Sequence, residues 1–211
     1  MPRNYISNKD ETVRMFDNNF LEALSRVHPS VPVILYGPII LYFVYLSVVY
    51  ELKLYSVVLM LIVGIVVWSV TEYSLHRFIF HYNAKSEFGK KLHFMFHGVH
   101  HDYPSDSRRL VMPPSVSLPL AIIFYFAFMN MIGYRFGAPF FAGFLMGYLF
   151  YDLTHYAIHH FNMHNRFWLY IKNHHMKHHY MDSSKGFGVS SPAWDKVIGT
   201  DFPKTKEKEA I

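Results

Sequence analysis

The chain has 211 residues, of which 52% are apolar, 18% aromatic and 17% charged, with a formal net charge of +5 and no cysteine. Charged residues fall short of the roughly one quarter usual in a soluble domain, which excludes a disordered chain and a long coiled coil. The lack of cysteine excludes a disulfide framework, a zinc ribbon, an iron–sulfur cluster and a cysteine nucleophile.

In chain order, residues 1–30 are polar and contain acids, with no early apolar run leading to a small-residue cleavage site, so they are expected to be a cytosolic N-terminal segment and not a signal peptide. Val31 to Tyr50 (VPVILYGPIILYFVYLSVVY) and Leu54 to Val70 (LYSVVLMLIVGIVVWSV) carry no charge. A helix crossing the hydrocarbon core needs about 20 apolar residues, and the second run reaches that length by continuing into TEYSLHRFIF. Only Glu51 to Lys53 separates the two. A second pair follows: Val116 to Tyr134 and Gly137 to Ile158, joined by Arg135 and Phe136. With no polar stripe of helical period in either pair, the spans read as two membrane hairpins and not as a buried soluble bundle.

Lys and Arg fix the expected orientation. Eighteen of the 20 fall before the first span, between the hairpins or after the last span, and only Lys53 and Arg135 lie in the two short turns. The positive-inside rule makes the eighteen cytosolic, with both termini on that side. Anionic lipid head groups account for the basic balance, and no nucleic-acid partner is expected.

Histidine is the anomaly: there are 15, as many as Asp and Glu together. Fourteen lie in the two segments placed at the cytosolic face. His97, His100 and His101 (HGVHH) and His175, His178 and His179 (HMKHH) have i, i+3, i+4 spacing; His155 and His159 (HYAIH) have i, i+4. On a helix such positions are neighbours, so they can hold one ion or share two. His76 and His81 (HRFIFH) are i, i+5 and diverge on a regular helix, so the helix is expected to end or distort near Phe80. All-imidazole donors suit Zn, Fe, Cu or Ni, and their number points to two metal ions. His28, His93, His160, His164 and His174 are read as ordinary polar residues or as neighbours of the ligands. Asp152, Glu72, Asp102 and Asp182 stand at spacings suited to orienting the histidines through their second ring nitrogen.

The order HxxxxH, HxxHH, HxxxH, HxxHH after two hairpins resembles the fatty acid hydroxylase superfamily of membrane di-metal enzymes. Within it, EYSLHRFIFH (72–81), HGVHHDYPSDSRRLVMPP (97–114), YDLTHYAIHH (151–160), HHMKHHY (174–180) and FGVSSPAWDKVIGT (187–200) most resemble the fatty acid 2-hydroxylases that act on sphingolipid acyl chains. The resemblance implies an all-α integral membrane protein: four transmembrane helices as two hairpins beneath a cytosolic-face helical cap that carries a di-metal centre. Residues 31–200 would form the hydroxylase membrane domain and 201–211 a charged C-terminal tail. The implied metal ligands are His76, His81, His97, His100, His101, His155, His159, His175, His178 and His179. Tyr151 and Asp152 match a motif near the reacting acyl chain. The implied cofactors are two irons in the active enzyme, which zinc can replace in purified protein, with O2 as co-substrate. Many eukaryotic members carry an N-terminal cytochrome b5 domain for which this sequence has no room, so a separate donor, cytochrome b5 or a ferredoxin with its reductase, is expected. The membrane would be the endoplasmic reticulum in a eukaryote or the inner membrane in a bacterium. The rival readings are a desaturase or a sterol or carotenoid hydroxylase of the same superfamily, and a non-enzymatic membrane metal-binding protein.

Overall fold

A computed structural model describes residues 4–203. Arg3 and the charged run from residue 204 onward, both used in the reading above, lie outside the described residues. Among the described residues every regular element is helical. These are α1 (Asn19–Leu24), α2 (Ser30–Val49), α3 (Leu54–Ser74), α4 (Glu87–His93), α5 (Val99–Asp102), α6 (Pro114–Ile132), α7 (Tyr134–His160), α8 (Arg166–Tyr180) and α9 (Ala193–Ile198). Two π-helical stretches, Leu75–Phe80 and Phe94–Gly98, continue α3 and α4.

Four helices are long and apolar enough to cross a membrane: α2, α3 with its extension to Phe80, α6 and α7, with mean hydropathies of 2.0, 2.4, 1.8 and 1.2. Three of them point large apolar side chains outward. Ile34, Leu41, Leu54 and Ile123 are 70%, 70%, 78% and 62% exposed, a surface that suits lipid and not water. The chain is therefore a membrane protein.

The fourth helix, α7, is the exception. Its apolar stretch is mostly enclosed, because α2, α3 and α6 all pack against it. Tyr36 of α2 meets Tyr148 and Phe43 meets Phe141, so α2 runs antiparallel to α7. Phe124 and Phe128 of α6 meet Phe144 and Phe140, again antiparallel. Trp68 of α3 meets Phe144, Tyr148 and Tyr151, and Gly64 lies against Phe140 to Phe144, so α3 runs parallel to α7. Gly64 and Gly143 permit that approach: a Cβ on Gly143 would collide with the Leu61 backbone, and one on Gly64 with the Phe140 and Phe144 backbone. Small residues at a helix crossing let backbones meet where apolar lipid gives helices little reason to associate.

Because α3 and α7 are parallel, both C-terminal ends reach the same end of the bundle, and these ends carry His76 with His81 and His155 with His159. The joint between α6 and α7 differs from expectation. It is Gly133 alone, at φ 80, and Arg135 and Phe136 belong to the first turn of α7. A positive φ that glycine adopts without strain turns the chain in one residue.

Helices α4, α5 and α8 cap that end. The N-terminal segment crosses the cap: the Ile6 and Ser7 N–H groups donate to the Asp102 carbonyl, and Thr12 donates to Asp106 at 2.8 Å. The C-terminal loop and α9 close the cap from the other side. Their hub is Asp195, fully buried, which accepts from the N–H groups of Phe187 and Gly188 and from the Thr200 hydroxyl.

Candidate metal centre

The i, i+5 pair is resolved by backbone geometry. Leu75–Phe80 is π-helical, and the His81 N–H donates to the His76 carbonyl at 3.1 Å. The wider π turn puts residues five apart on one face, which is the distortion expected near Phe80. The second π stretch, around His97, was not foreseen; it rotates His97 relative to His93, and His93 stays out of the cluster.

All ten sequence-predicted histidines come together, in two groups of five. Site A holds His76, His81, His97, His101 and His178; site B holds His100, His155, His159, His175 and His179. Within each group the candidate donor atoms lie within 4.8 Å of one another. The two HxxHH motifs interlock. HGVHH sends its i, i+4 pair, His97 and His101, to site A and the intervening His100 to site B; HMKHH sends His175 and His179 to site B and His178 to site A. Each site thus takes one pair from a spanning helix, one pair from an HxxHH motif, and one histidine from the other motif.

The geometry fits a metal. In site A the Nε2 atoms form a closed ring: His76 to His97 3.0 Å, His97 to His101 3.1 Å, His101 to His178 3.2 Å, His178 to His81 2.9 Å, and His81 to His76 3.2 Å. In site B, His100 to His155 is 2.9 Å, His159 to His175 3.1 Å and His175 to His179 3.0 Å. Two nitrogens at right angles on one ion, each about 2.1 Å from it, stand about 3.0 Å apart. Hydrogen bonding cannot satisfy the ring. The Nδ1–H of His76 donates to the Phe187 carbonyl and that of His178 to the Lys185 carbonyl, each at 2.6 Å. A neutral ring that donates from Nδ1 leaves Nε2 with only its lone pair, aimed inward.

The electrostatics agree. Burial, reinforced by neighbouring imidazoles, pushes the cap histidines His97, His100, His101, His175 and His179 well below the ordinary range. Burial lowers His81 to about 3, and lowers His178 to about 4 although its Lys185 carbonyl contact opposes this. At neutral pH these rings are uncharged and free to ligate.

The acidic residues act differently from expectation. Asp152 accepts from the Met112 N–H at 3.0 Å and the Tyr148 hydroxyl at 3.1 Å, and not from His155 or His159. Glu72 accepts from the N–H groups of Val189 and Ser190 and from the Ser190 hydroxyl, holding the segment whose Phe187 carbonyl receives His76. Asp182 accepts from the Ser184 N–H and hydroxyl and so shapes the turn that presents the Lys185 carbonyl to His178. The carboxylates steer loop carbonyls, and the carbonyls steer the rings. Asp102 contributes its backbone carbonyl to the N-terminal segment.

His174 points away from both groups, donating to Asp195 at 3.1 Å, and His160 stacks on Tyr156. Asp195 had no role assigned from sequence. Burial pushes its carboxyl up, but His174, Thr200 and the Gly188 and Phe187 N–H groups outweigh that and hold it below the ordinary carboxylate value. Its signal in the sequence was its place in FGVSSPAWD, a loop otherwise without an acid.

One pocket reaches both groups. His97, His100 and His155 line it, with Tyr151 and Asp152 beside them and Met112, Pro113 and Val116 on its apolar wall. Tyr151 is buried, stacks on His155 at 5.8 Å and touches Trp68.

Comparison with known proteins agrees with this architecture. Residues 61–200 match the fatty acid hydroxylase family model. A fission yeast (Schizosaccharomyces pombe) protein named ceramide very long chain fatty acid hydroxylase scs7 is 36% identical over 197 residues, spanning 92% of this chain and 56% of its own length. The Arabidopsis thaliana dihydroceramide fatty acyl 2-hydroxylase FAH1 is 38% identical over 198 residues, 93% of this chain and 82% of that protein. A solved structure titled full length scs7p, with only the hydroxylase domain visible, superposes with a TM-score of 0.83 at 34% identity, covering 88% of this chain and 70% of that one. The match spans both π-helical stretches, both HxxHH motifs and the Asp195 loop, and on that ground the chain belongs to the fatty acid hydroxylase family.

Proposed function

We propose that the protein is an O2-dependent fatty acid 2-hydroxylase acting on the acyl chain of a ceramide-type lipid. The observation that carries this reading is the pocket: one apolar-walled space is lined by histidines of both sites. The relatives named as ceramide or dihydroceramide hydroxylases supply the substrate class. The ten histidines are the metal ligands, two irons are the native ions, and zinc binds the same sets. When bound, the ions supply the activation of dioxygen. Overall, one C–H bond, O2, two electrons and two protons give one C–OH bond and one water. The electrons come from a separate donor, cytochrome b5 or a ferredoxin with its reductase.

The chain's own residues place the substrate. Tyr151 and Asp152 are assigned next to the reacting carbon. Asp152 fixes the Met112 N–H, and with it the wall that runs on to Val116; Tyr151 stacks on His155 and packs against the acyl chain. The charge distribution supports two hairpins with both termini and the metal cap in the cytosol, as do the alternating directions of the four long helices. Residues 1–30, 31–200 and 201–211 are assigned as cytosolic segment, hydroxylase domain and charged tail, in the endoplasmic reticulum or a bacterial inner membrane.

The test is lipid mass spectrometry in a host that makes ceramides but lacks a 2-hydroxylase. Gain of one oxygen on the acyl carbon beside the carbonyl is expected. Loss of two hydrogens would make the protein a desaturase; no change, with the protein inserted and supplied with iron and donor, would refute the enzyme reading.

A further inference from the structure

Helix α1 is turned inside out. Asn18 starts it by accepting from the Phe20 and Leu21 N–H groups. At about 100° per residue, Phe20, Leu21 and Leu24 share one face and Glu22 stands on the other. In water the apolar face of such a helix packs inward and its acid is solvated. Here Phe20, Leu21 and Leu24 are 70%, 46% and 41% exposed, and Glu22 is 5% exposed. Glu22 is held there by donors: Arg109 at 2.7 Å and Arg26 at 2.6 Å on Oε1, and the Met15 and Phe16 N–H groups on Oε2. The buried ion pairs thus fix which face of α1 turns outward.

The neighbours place α1 at the level where the spans begin. Only residues 25–29 separate it from α2, whose first outward side chains, Val33 and Ile34, belong to the lipid-facing surface. The Val27 N–H donates to the Arg108 carbonyl at 2.8 Å, shortly before α6. Ser25, just past α1, and Val116, in the first turn of α6, line the same histidine-lined pocket. Met15, whose N–H Glu22 holds, lines it from the N-terminal side as well; Phe80, Met95 and Phe96 line it from the two π-helical stretches. Phe96 is a lining residue and yet 47% exposed, so it marks the mouth. A second copy of the chain is a poor cover for the face. A stable interface takes roughly 800 Å² from each partner, more than three side chains of a six-residue helix supply.

We propose that α1 is an in-plane membrane helix. Phe20, Leu21 and Leu24 sit in the acyl layer of the leaflet on the cap side, and α1 holds the mouth of the histidine-lined pocket at that depth, so that the mouth opens sideways to lipid and not to water. The identity of the guest, a lipid acyl chain, rests on the hydroxylase reading; the depth of α1 does not.

The chain has no cysteine, so a single introduced cysteine carries a spin label without ambiguity. The protein is placed in phosphatidylcholine nanodiscs, and each label is relaxed by O2, which concentrates among acyl chains, and by a polar nickel chelate, which stays in water. On Leu21→Cys, O2 should act severalfold more strongly than the chelate, as befits a site about 5–10 Å into the boundary between head groups and acyl chains. On Lys9→Cys, exposed in the same N-terminal segment, the order should reverse. Phe20→Cys takes the place of Leu21→Cys should the latter fail to insert. A chelate-dominated label on α1 overturns the proposal. So does dipolar broadening that vanishes on dilution with unlabelled protein, which would put a second copy on this face. Phe96→Cys reads the mouth, and O2 should dominate there too; a chelate-dominated label at Phe96→Cys overturns the sideways opening. O2-dominated labels at both places, in a protein that adds no oxygen with iron and donor supplied, refute the hydroxylase reading and leave α1 in the leaflet.

Discussion

Sites A and B are built from the same kit, two pairs and one crossing histidine, yet they are held differently. Site A takes its first pair from a π-helical stretch, and two of its rings, His76 and His178, are oriented by the Phe187 and Lys185 carbonyls of the C-terminal loop. Site B takes its first pair from regular α-helix. The Nδ1 atoms of His100, His155, His175 and His179 are buried and have no hydrogen-bond partner among the described residues. Packing of α7, α5 and α8 holds site B, whereas a loop tied by Glu72 and Asp195 holds site A. Site A also includes two rings, His81 and His101, that are only partly enclosed, against one in site B, His159. The more solvated site thus depends on the more polar scaffold.

The largest effect should come from the crossing histidines. His178→Ala removes a proposed ligand from site A while α8 still presents His175 and His179 to site B; His100→Ala does the reverse. Each variant should bind about one ion in place of two by elemental analysis, and lose product by at least about a hundredfold, beyond the effect of losing an outer contact. If either variant loses both ions, the sites are not separable and the comparison fails.

Next is Asp195→Ala, which frees Phe187, Gly188 and Thr200 and so slackens the carbonyl that orients His76. Metal affinity at site A should fall by about tenfold to a hundredfold. Chelator titration should then show one weakened ion and one unchanged. Equal weakening of both would mean that the loop supports the whole cap.

Acid should act on both sites together, since burial holds the cap histidines of each below their ordinary value. In metal-free protein, burial holds His81 at about 3 and His178 at about 4, below the unfolded value of about 6.5. A base with a lowered folded pKa stays neutral in the fold while the unfolded chain takes up protons. Stability is therefore full above about pH 6.5 and falls as the pH drops from there toward 4, by up to about 1.4 kcal/mol per pH unit for His178. A melting temperature of the metal-free protein that stays flat from pH 7 to 5 would contradict this, and saturating zinc should shift the fall to lower pH.

Much of this was legible in sequence, for physical reasons. Charge-free runs of about 20 residues have few readings besides a membrane helix, and ten histidines at i+3, i+4 and i+5 marked the centre. The division of HGVHH and HMKHH between two histidine groups was not legible, because i, i+3 and i+4 share one face of an isolated helix; only the packing of α5 against α8 shows that His100 and His178 cross over. The roles of Glu72 and Asp152 were hidden for a related reason. Spacing placed each on the face of a histidine, but the Met112 N–H takes an Asp152 oxygen and the Val189 and Ser190 N–H groups take a Glu72 oxygen, contacts from distant segments that no local pattern encodes. The joint at Gly133 was not legible, because a positive φ makes the turn and neither charge nor hydropathy encodes it.

The smallest predicted effect reaches both sites at once. His76 and His81 ride on α3, and His155 and His159 on α7, so the separation of the two sites is set where those helices cross. At Gly143 an added Cβ would meet the Leu61 backbone, which cannot rotate out of the way as a side chain could. At Gly37 of α2 an added Cβ meets nothing within 4 Å. Gly143→Ala should therefore destabilise by about 1–3 kcal/mol, the cost of overpacking, while Gly37→Ala should be neutral or stabilising by about 0.5–1 kcal/mol from helix propensity. Because α3 and α7 move as partners, Gly143→Ala should lower the affinity of both ions together, in contrast to Asp195→Ala. A Gly143→Ala protein that melts like the wild type, or that weakens one ion alone, would mean that the cap sets the distance between the sites and that the helix crossing below it does not.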